Sequence, residues 1–162
     1  QKCSELKRAA LLHDIGKIGV DGSILNKPGP LTQEEWAQMK LHSEIGYRIA
    51  MSTPALEHIA EHILHHHERW DGSGYPGGVK GTEIPLPSRI LAVTDAYDAM
   101  TETRVYRKAL QQSFALEEIE RHAGTQFDPD IALLFVSLMR EQNENAAIKP
   151  NGEGINNEAL PH

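Results

Sequence analysis

Seven side chains in the first hundred residues are of types that could together do metal chemistry. His13 and Asp14 are adjacent, Lys17 follows three residues later, and His42, the doublet His66-His67 and Asp95 come after them. Imidazole nitrogens and carboxylate oxygens in this mixture are enough to hold two hard or borderline divalent cations. The mixed set suits iron or manganese at five or six coordination better than a closed tetrahedral zinc site, and zinc, nickel or cobalt could also occupy it. Between the doublet and Asp95 lies a glycine-rich loop, Trp70-Asp71-Gly72-Ser73-Gly74-Tyr75-Pro76-Gly77-Gly78. It is not a Walker-type phosphate loop, because the lysine and hydroxyl residue at the required spacing are absent. Its glycines either serve turns that need positive φ or let the loop form a wall of the site or contact a partner domain. The first reading is a metal-dependent hydrolase.

Nine histidines must be sorted before any is given a role. The composition predicts a helix from Pro54 to about Arg69, with Leu56, Ile59, Ala60, Ile63 and Leu64 as its apolar residues. Steps of three, four and seven from Ile59, Ala60 and Ile63 land on His66 and His67, which therefore continue the inward stripe. His58, His62 and His65 fall on another face, among Glu61 and Arg69, and are expected to be solvated. A single inward histidine is usually a satisfied core residue; two adjacent ones beside Glu68 and a glycine loop are harder to explain that way. Asp95 sits in Ile90–Met100, a nearly all-apolar run where a carboxylate is costly unless it binds metal or pairs with a cation such as Arg89 or Arg104. Asp98, one helical turn on, could support it from the same side.

The elements that must position these groups read as helical almost throughout. Leu6, Ala9, Ala10 and His13 keep helical spacing, and Gly16 interrupts the segment. Residues Val20 to Leu31 form a connection rich in glycine and proline. Thr32 with Glu35 matches a capping box, opening a helix through Trp36, Met39, His42, Ile45 and Ile49. Ser88 is expected to cap a helix to Met100, Ser113 one ending at Gly124, and Asp128-Pro129 one running through Met139. The expectation is an all-α bundle of six or seven helices over residues 1–140, followed by a polar tail or linker over 141–162.

With 162 residues, 40% of them hydrophobic, the chain can bury one real core. A formal charge of −7 argues against wholesale binding to nucleic acid but not against a small phosphate at a locally positive spot. The single cysteine, Cys3, points to a reducing compartment, so a cytoplasmic location is expected. The longest apolar run, Ile131 to Met139, is too short to cross a bilayer.

The strings HDIGKIGV, ILNKPGPLTQEEW, MKLHSEIG, HHERWDGSGYPGG, IPLPSRILAVTDAYDAMTETRVYRKA and GTQFDP, in that order over about residues 8 to 135, resemble the HD-GYP family. These are bacterial metal-dependent phosphodiesterases of the HD superfamily that act on cyclic di-GMP. The resemblance implies an HD-domain-like helical bundle with a long GYP loop, and hydrolysis to linear pGpG, GMP or both by a hydroxide held between two metals. It assigns metal binding to His13, Asp14, His42, His66, His67 and Asp95, with Asp14 shared between the ions. Lys17 resembles the family's catalytic lysine near the scissile phosphate. Tyr75, Arg104 and Arg107 match substrate-facing positions, the two arginines having solvated helix ends as their alternative. Arg89 is expected to be structural, orienting an acidic residue.

Many members carry an earlier helix with further glutamate and histidine ligands. Only twelve residues precede His13, so that helix is expected to be missing and a third metal is doubtful. Without it, apolar surface is expected to be left uncovered, favouring a homodimer. A sensor or receiver domain and a diguanylate cyclase-type protein are the other partners implied. Another nucleotide as substrate, or a domain that binds nucleotide or partners without cleaving, are the alternatives.

Overall fold

The computed structural model describes residues 2–102 and 110–148. Among them the ordered elements are helical: α1 Lys2–Leu12, α2 Gly22–Leu25, α3 Gln33–Lys40, α4 His42–Met51, α5 Ala60–Leu64, α6 Leu86–Thr101, α7 Gln112–Arg121 and α8 Pro129–Ile148. Single turns of 3-10 helix lie at Ile15–Gly19, Glu57–Ile59 and Gly81–Glu83. The all-α expectation holds, with α2 and α5 amounting to little more than a turn each. No helix among the described residues is long and apolar enough to cross a membrane.

Two apolar clusters share α6. Its Leu91 packs with Ala9 of α1, Ala50 of α4 and Ala60 and Ile63 of α5. Its Val93 and Tyr97 pack with Leu116 and Ile119 of α7 and Val136 of α8. A helix buried on two sides by different partners is held at a fixed rotation. Asp95 lies between these contacts, half-buried, where the rotation of α6 sets its direction.

The element boundaries differ from the sequence expectation in several places, each for a local reason. The predicted helix through Trp36 and Ile49 is two helices. The capping box holds, with Glu35 N donating to Thr32 Oγ1 and Thr32 N to Glu35 Oε2, but α3 stops before Leu41 and α4 begins at His42. The predicted helix from Pro54 to Arg69 shrinks to the 3-10 turn and α5; the chain leaves helical geometry at His65 and continues as turns through His67.

Ser88 does not cap α6, which starts at Leu86; it is buried and donates its hydroxyl to the His62 carbonyl at 3.1 Å, tying α6 to α5. Ser113 lies inside α7, which opens at Gln112 after Gln111. Asp128 does cap α8, its Oδ1 accepting from the Asp130 and Ile131 amides. The α8 helix continues past Glu141 to Ile148, where polar composition alone suggested a tail; residues 149–162 lie outside the described residues. The connection Val20–Leu31 contains α2, capped by Asp21 through Ser23 N.

Candidate metal centre

The His13-Asp14 pair sits where α1 has just ended and the 3-10 turn begins, with Lys17 N donating to Asp14 O at 2.9 Å. That turn lies directly against the start of α4. The crossing needs two glycines: a Cβ on Gly16 would overlap the His42 carbonyl, and one on Gly46 would lie 2.9 Å from Ile63 Cγ2. His42, the first residue of α4, is thereby brought over Asp14. The turn after α5 supplies His66 and His67, and α6 supplies Asp95.

In this way the chain brings all six donors to one place. One ligand atom from each of Asp14, His42, His66 and His67 falls within 4.8 Å of the others. Asp14 is central: its Oδ1 is 3.6 Å from His42 Nε2, and its Oδ2 is 3.5 Å from His13 Nε2. His13 Nε2 is also 3.6 Å from Asp95 Oδ1.

Three of the imidazoles are locked in one tautomer. Nδ1 of His13 donates to Ala10 O at 2.8 Å, that of His42 to Met39 O at 2.7 Å, and that of His66 to Ile63 O at 2.6 Å. A carbonyl can only accept, so each Nδ1 carries the proton and each neutral ring presents the Nε2 lone pair inward. His42 Nε2 and His66 Nε2 lie 3.4 Å apart, so two lone pairs face each other with no proton between them. His13 Nε2 is buried without a hydrogen-bond partner among the described residues. Buried lone pairs aimed at one another beside a carboxylate are costly for the apoprotein and fit a divalent cation.

Burial keeps His42, His66 and His67 neutral. It lowers the His66 pKa to about 2, with the neighbouring His67 adding to the effect, and that of His67 to about 4; His42 is lowered for the same reason. His13 moves up, because the Asp95 carboxylate faces it, and Asp95 moves down because of His13. The two kinds of shift act oppositely on stability. His66 and His67 make folding proton-excluding, so stability falls as pH drops below their unfolded value of 6.5; the His13–Asp95 pair favours the protonated ring and is lost as pH rises. Between pH 6.5 and 5, His66 and His67 should each remove about 2 kcal/mol, against a smaller gain from His13. Urea unfolding of the metal-free chain is expected to show a midpoint that falls between pH 7.5 and 5, and bound metal should hold the midpoint up until protons displace it.

The glycine loop closes the site on one side. Glu68, fully buried, accepts from Gly77 N at 2.6 Å and Gly78 N at 3.1 Å through one oxygen. Trp70 N and Asp71 N donate to Gln126 O and Thr125 O, fastening the loop to the α7–α8 connection. Gly72 and Gly78 do adopt positive φ, at 82° and 66°, whereas Gly74 is needed for close approach to the Glu68–Arg69 backbone. Tyr75, joined to Pro76 by a cis peptide, packs on His67 with ring centroids 4.9 Å apart. Asp14, Lys17, His42, His67, Tyr75 and Asp95 all line one cavity of about 530 Å³.

Residues 1–131 match the profile of the HD-domain family. The chain belongs to that family. With Gly74-Tyr75-Pro76 in place beside His13-Asp14, it is an HD-GYP member. A cyclic di-GMP phosphodiesterase of Thermotoga maritima is 47% identical over 140 residues, 85% of this chain and 38% of that protein. A 3'3'-cGAMP-specific phosphodiesterase of Vibrio cholerae is 42% identical over 138 residues, 85% of this chain and 29% of that protein. The crystal structure of a cyclic GMP-AMP-specific phosphodiesterase of V. cholerae superposes with a TM-score of 0.60 at 21% identity, covering 91% of this chain and 40% of that one. At that identity the structural likeness is one of fold. The chain spans well under half the length of these relatives.

Several expectations for the HD domain change with the geometry. Of the histidines set aside as solvated, only His58 is exposed. His65 lies near Glu61 and Glu68, and His62 Nδ1 is buried without a hydrogen-bond partner among the described residues. Both are half-buried: His65 lies in the turn after α5, facing Glu68, and His62 lies within α5 itself. Asp98, expected to support Asp95, is exposed. Arg89 is structural as expected: it pairs with Asp128 at 2.5 Å, donates to Ile84 O and lies 5.9 Å over the Trp70 ring. Arg104 and Arg107 lie outside the described residues. Sequence reasoning missed Glu68 as the anchor of the loop. The sequence offers only a carboxylate directly after two inward histidines and ahead of a glycine run, which does not say what it bonds.

Proposed function

We propose that this HD-GYP domain is a metal-dependent phosphodiesterase that hydrolyses cyclic di-GMP, with His13, Asp14, His42, His66, His67 and Asp95 holding two divalent cations, iron or manganese. The observation that carries the proposal is the set of Nδ1-locked imidazoles whose Nε2 lone pairs converge on Asp14. The Thermotoga maritima relative, named for this activity, supports the substrate. Two bound cations supply Lewis acidity to a phosphate and make water a competent nucleophile near neutral pH.

The chain's own groups do the rest. The carbonyl-bound Nδ1 atoms hold the rings in place, so no reorganisation is needed when charge develops. Lys17 Nζ, 2.6 Å from Asp14 Oδ2 at the cavity edge, orients that carboxylate and offsets charge on a phosphoryl oxygen. Tyr75 keeps its phenol proton, since burial, aided by Asp14 and Asp95, raises its pKa, and so remains a donor toward a phosphate or sugar oxygen. Arg104 and Arg107 are proposed to take the remaining phosphate charge. A sensor or receiver domain, a second copy of the chain and a diguanylate cyclase-type protein are the partners, and the cytoplasm the location, that suit this reading.

Anaerobic purification with metal analysis, followed by product identification from cyclic di-GMP, tests the proposal. Two ions per chain with linear pGpG or GMP as product is the expected result; a chain that binds the dinucleotide and returns it intact would overturn it. The V. cholerae relative favours a second reading, 3'3'-cGAMP as preferred substrate, decided by relative kcat/KM on the two dinucleotides. Lys17→Ala is expected to lower turnover about 10²- to 10³-fold, the scale of losing one transition-state donor, with metal content unchanged. Metal loss with unchanged turnover per bound ion would show that Lys17 serves only the ligands.

A further inference from the structure

The cavity above the metal centre is two-sided. Its floor carries the carboxylates, imidazoles and Lys17, while Leu25, Trp36, Met39 and Tyr75 give it an apolar wall. Trp36 belongs to α3, a helix that buries none of its residues, and the indole is 46% exposed. It is therefore not placed there by core packing. Its ring meets Tyr75 edge-on at 6.4 Å, and Tyr75 in turn packs on His67. Lys40, one turn further along α3 and half-buried, holds its Nζ 5.9 Å from the Trp36 ring centre and 5.4 Å from that of Tyr75. An aromatic surface with an ammonium over its rings thus adjoins the proposed phosphate position.

We infer that Trp36 is the seat of one purine of the dinucleotide and that Lys40 selects guanine there. The inference rests on the reading of the site as a cyclic-dinucleotide phosphodiesterase. A phosphodiester lying over Asp14 and Lys17 carries its nucleoside sideways, toward the wall that Trp36 and Tyr75 build. Aromatic side chains take any base by its face, so Trp36 supplies affinity without selectivity. The edge supplies the selectivity. Guanine presents two adjacent acceptors, N7 and O6, whereas adenine presents N7 beside an N6 donor. An ammonium can only donate, so Lys40 is matched to guanine and opposed to the adenine amino group.

The test separates base recognition from hydrolysis. GMP and AMP, which hold no phosphodiester to cleave, are titrated into the metal-loaded chain while tryptophan emission is followed. GMP is expected to quench more tightly than AMP, and Trp36→Phe to remove most of the signal, leaving that of Trp70. In kinetics, Trp36→Ala is expected to raise KM for cyclic di-GMP about tenfold or more, with a smaller change in kcat. Lys40→Met should narrow the kcat/KM preference for cyclic di-GMP over cyclic di-AMP by about tenfold.

Trp36→Phe, which keeps a ring at the position, should hold KM near that of the parent and serves if the alanine variant does not fold. Emission that does not respond to GMP, a KM unmoved by Trp36→Ala, or a preference unmoved by Lys40→Met overturns the inference. If the chain cleaves bis(4-nitrophenyl) phosphate but no cyclic dinucleotide while GMP still quenches through Trp36, the substrate reading fails and the base seat stands. If cyclic di-GMP is cleaved with Trp36 silent and replaceable, the seat fails and the substrate reading stands.

Discussion

Asp14→Ala is expected to release the metal from the centre and to lower phosphodiesterase turnover by at least about 10³-fold. The reason is positional. Among the described residues, Asp14 alone presents its two oxygens to different imidazoles of the site, His42 on one side and His13 on the other, which places it between both halves. The fold should tolerate the change. The Asp14 side chain is 38% exposed, and its loss frees Lys17 toward solvent rather than opening a cavity in either apolar cluster. Metal content by elemental analysis and helix content by far-ultraviolet circular dichroism check the two halves separately. Two retained ions per chain would mean that Asp14 is not the shared ligand. Asp14→Asn, nearly the same in shape but uncharged, should behave like the alanine variant if charge and ligation matter, and like the parent if only the shape of the turn does.

Much of this arrangement can be read from residue types, because burying a charge or an imidazole is costly enough to leave a trace. Asp95 stands out as a carboxylate in an apolar run, and the structure gives it His13 as its partner. His66 and His67 stand out as a continuation of the stripe through Ile59 and Ile63. The helix that carries the stripe ends at Leu64, yet the following turn keeps enough of its rotation to aim both rings inward.

What could not be read depends on contacts between distant segments. The break at Leu41, which frees His42 to begin its own helix, follows from the packing of the 3-10 turn against α4, and nothing in the local sequence marks it. Glu68 is a charged residue in a charged neighbourhood, and only the returning loop shows that its partners are the amides of Gly77 and Gly78. Ser88 has the composition of a cap, but the His62 carbonyl it bonds lies 26 residues earlier.

That crossing makes Gly16 the second position where a small change should have a large effect. Gly16→Ala places a methyl group where the His42 carbonyl oxygen now lies, within 2.5 Å of Gly46 N. All the opposing atoms named are backbone, so no side chain can swing aside; the 3-10 turn and α4 must separate. Such overpacking costs about 3 kcal/mol or more. The damage would not stop at stability, because the two segments forced apart carry His13-Asp14 and His42. A displacement of a few tenths of an ångström there spoils the convergence on which ligation depends.

The expected result is a urea midpoint well below that of the parent, together with weakened metal binding and turnover reduced out of proportion to the folded fraction. Gly22→Ala is the control: it lies in the same part of the chain, its added Cβ would meet only Asn26 Nδ2 at 4.0 Å, and it should match the parent in both respects. If Gly16→Ala unfolds at the parental midpoint and keeps its metal, then the turn and α4 do not cross as closely as drawn. His42 would then owe its position to α4 alone.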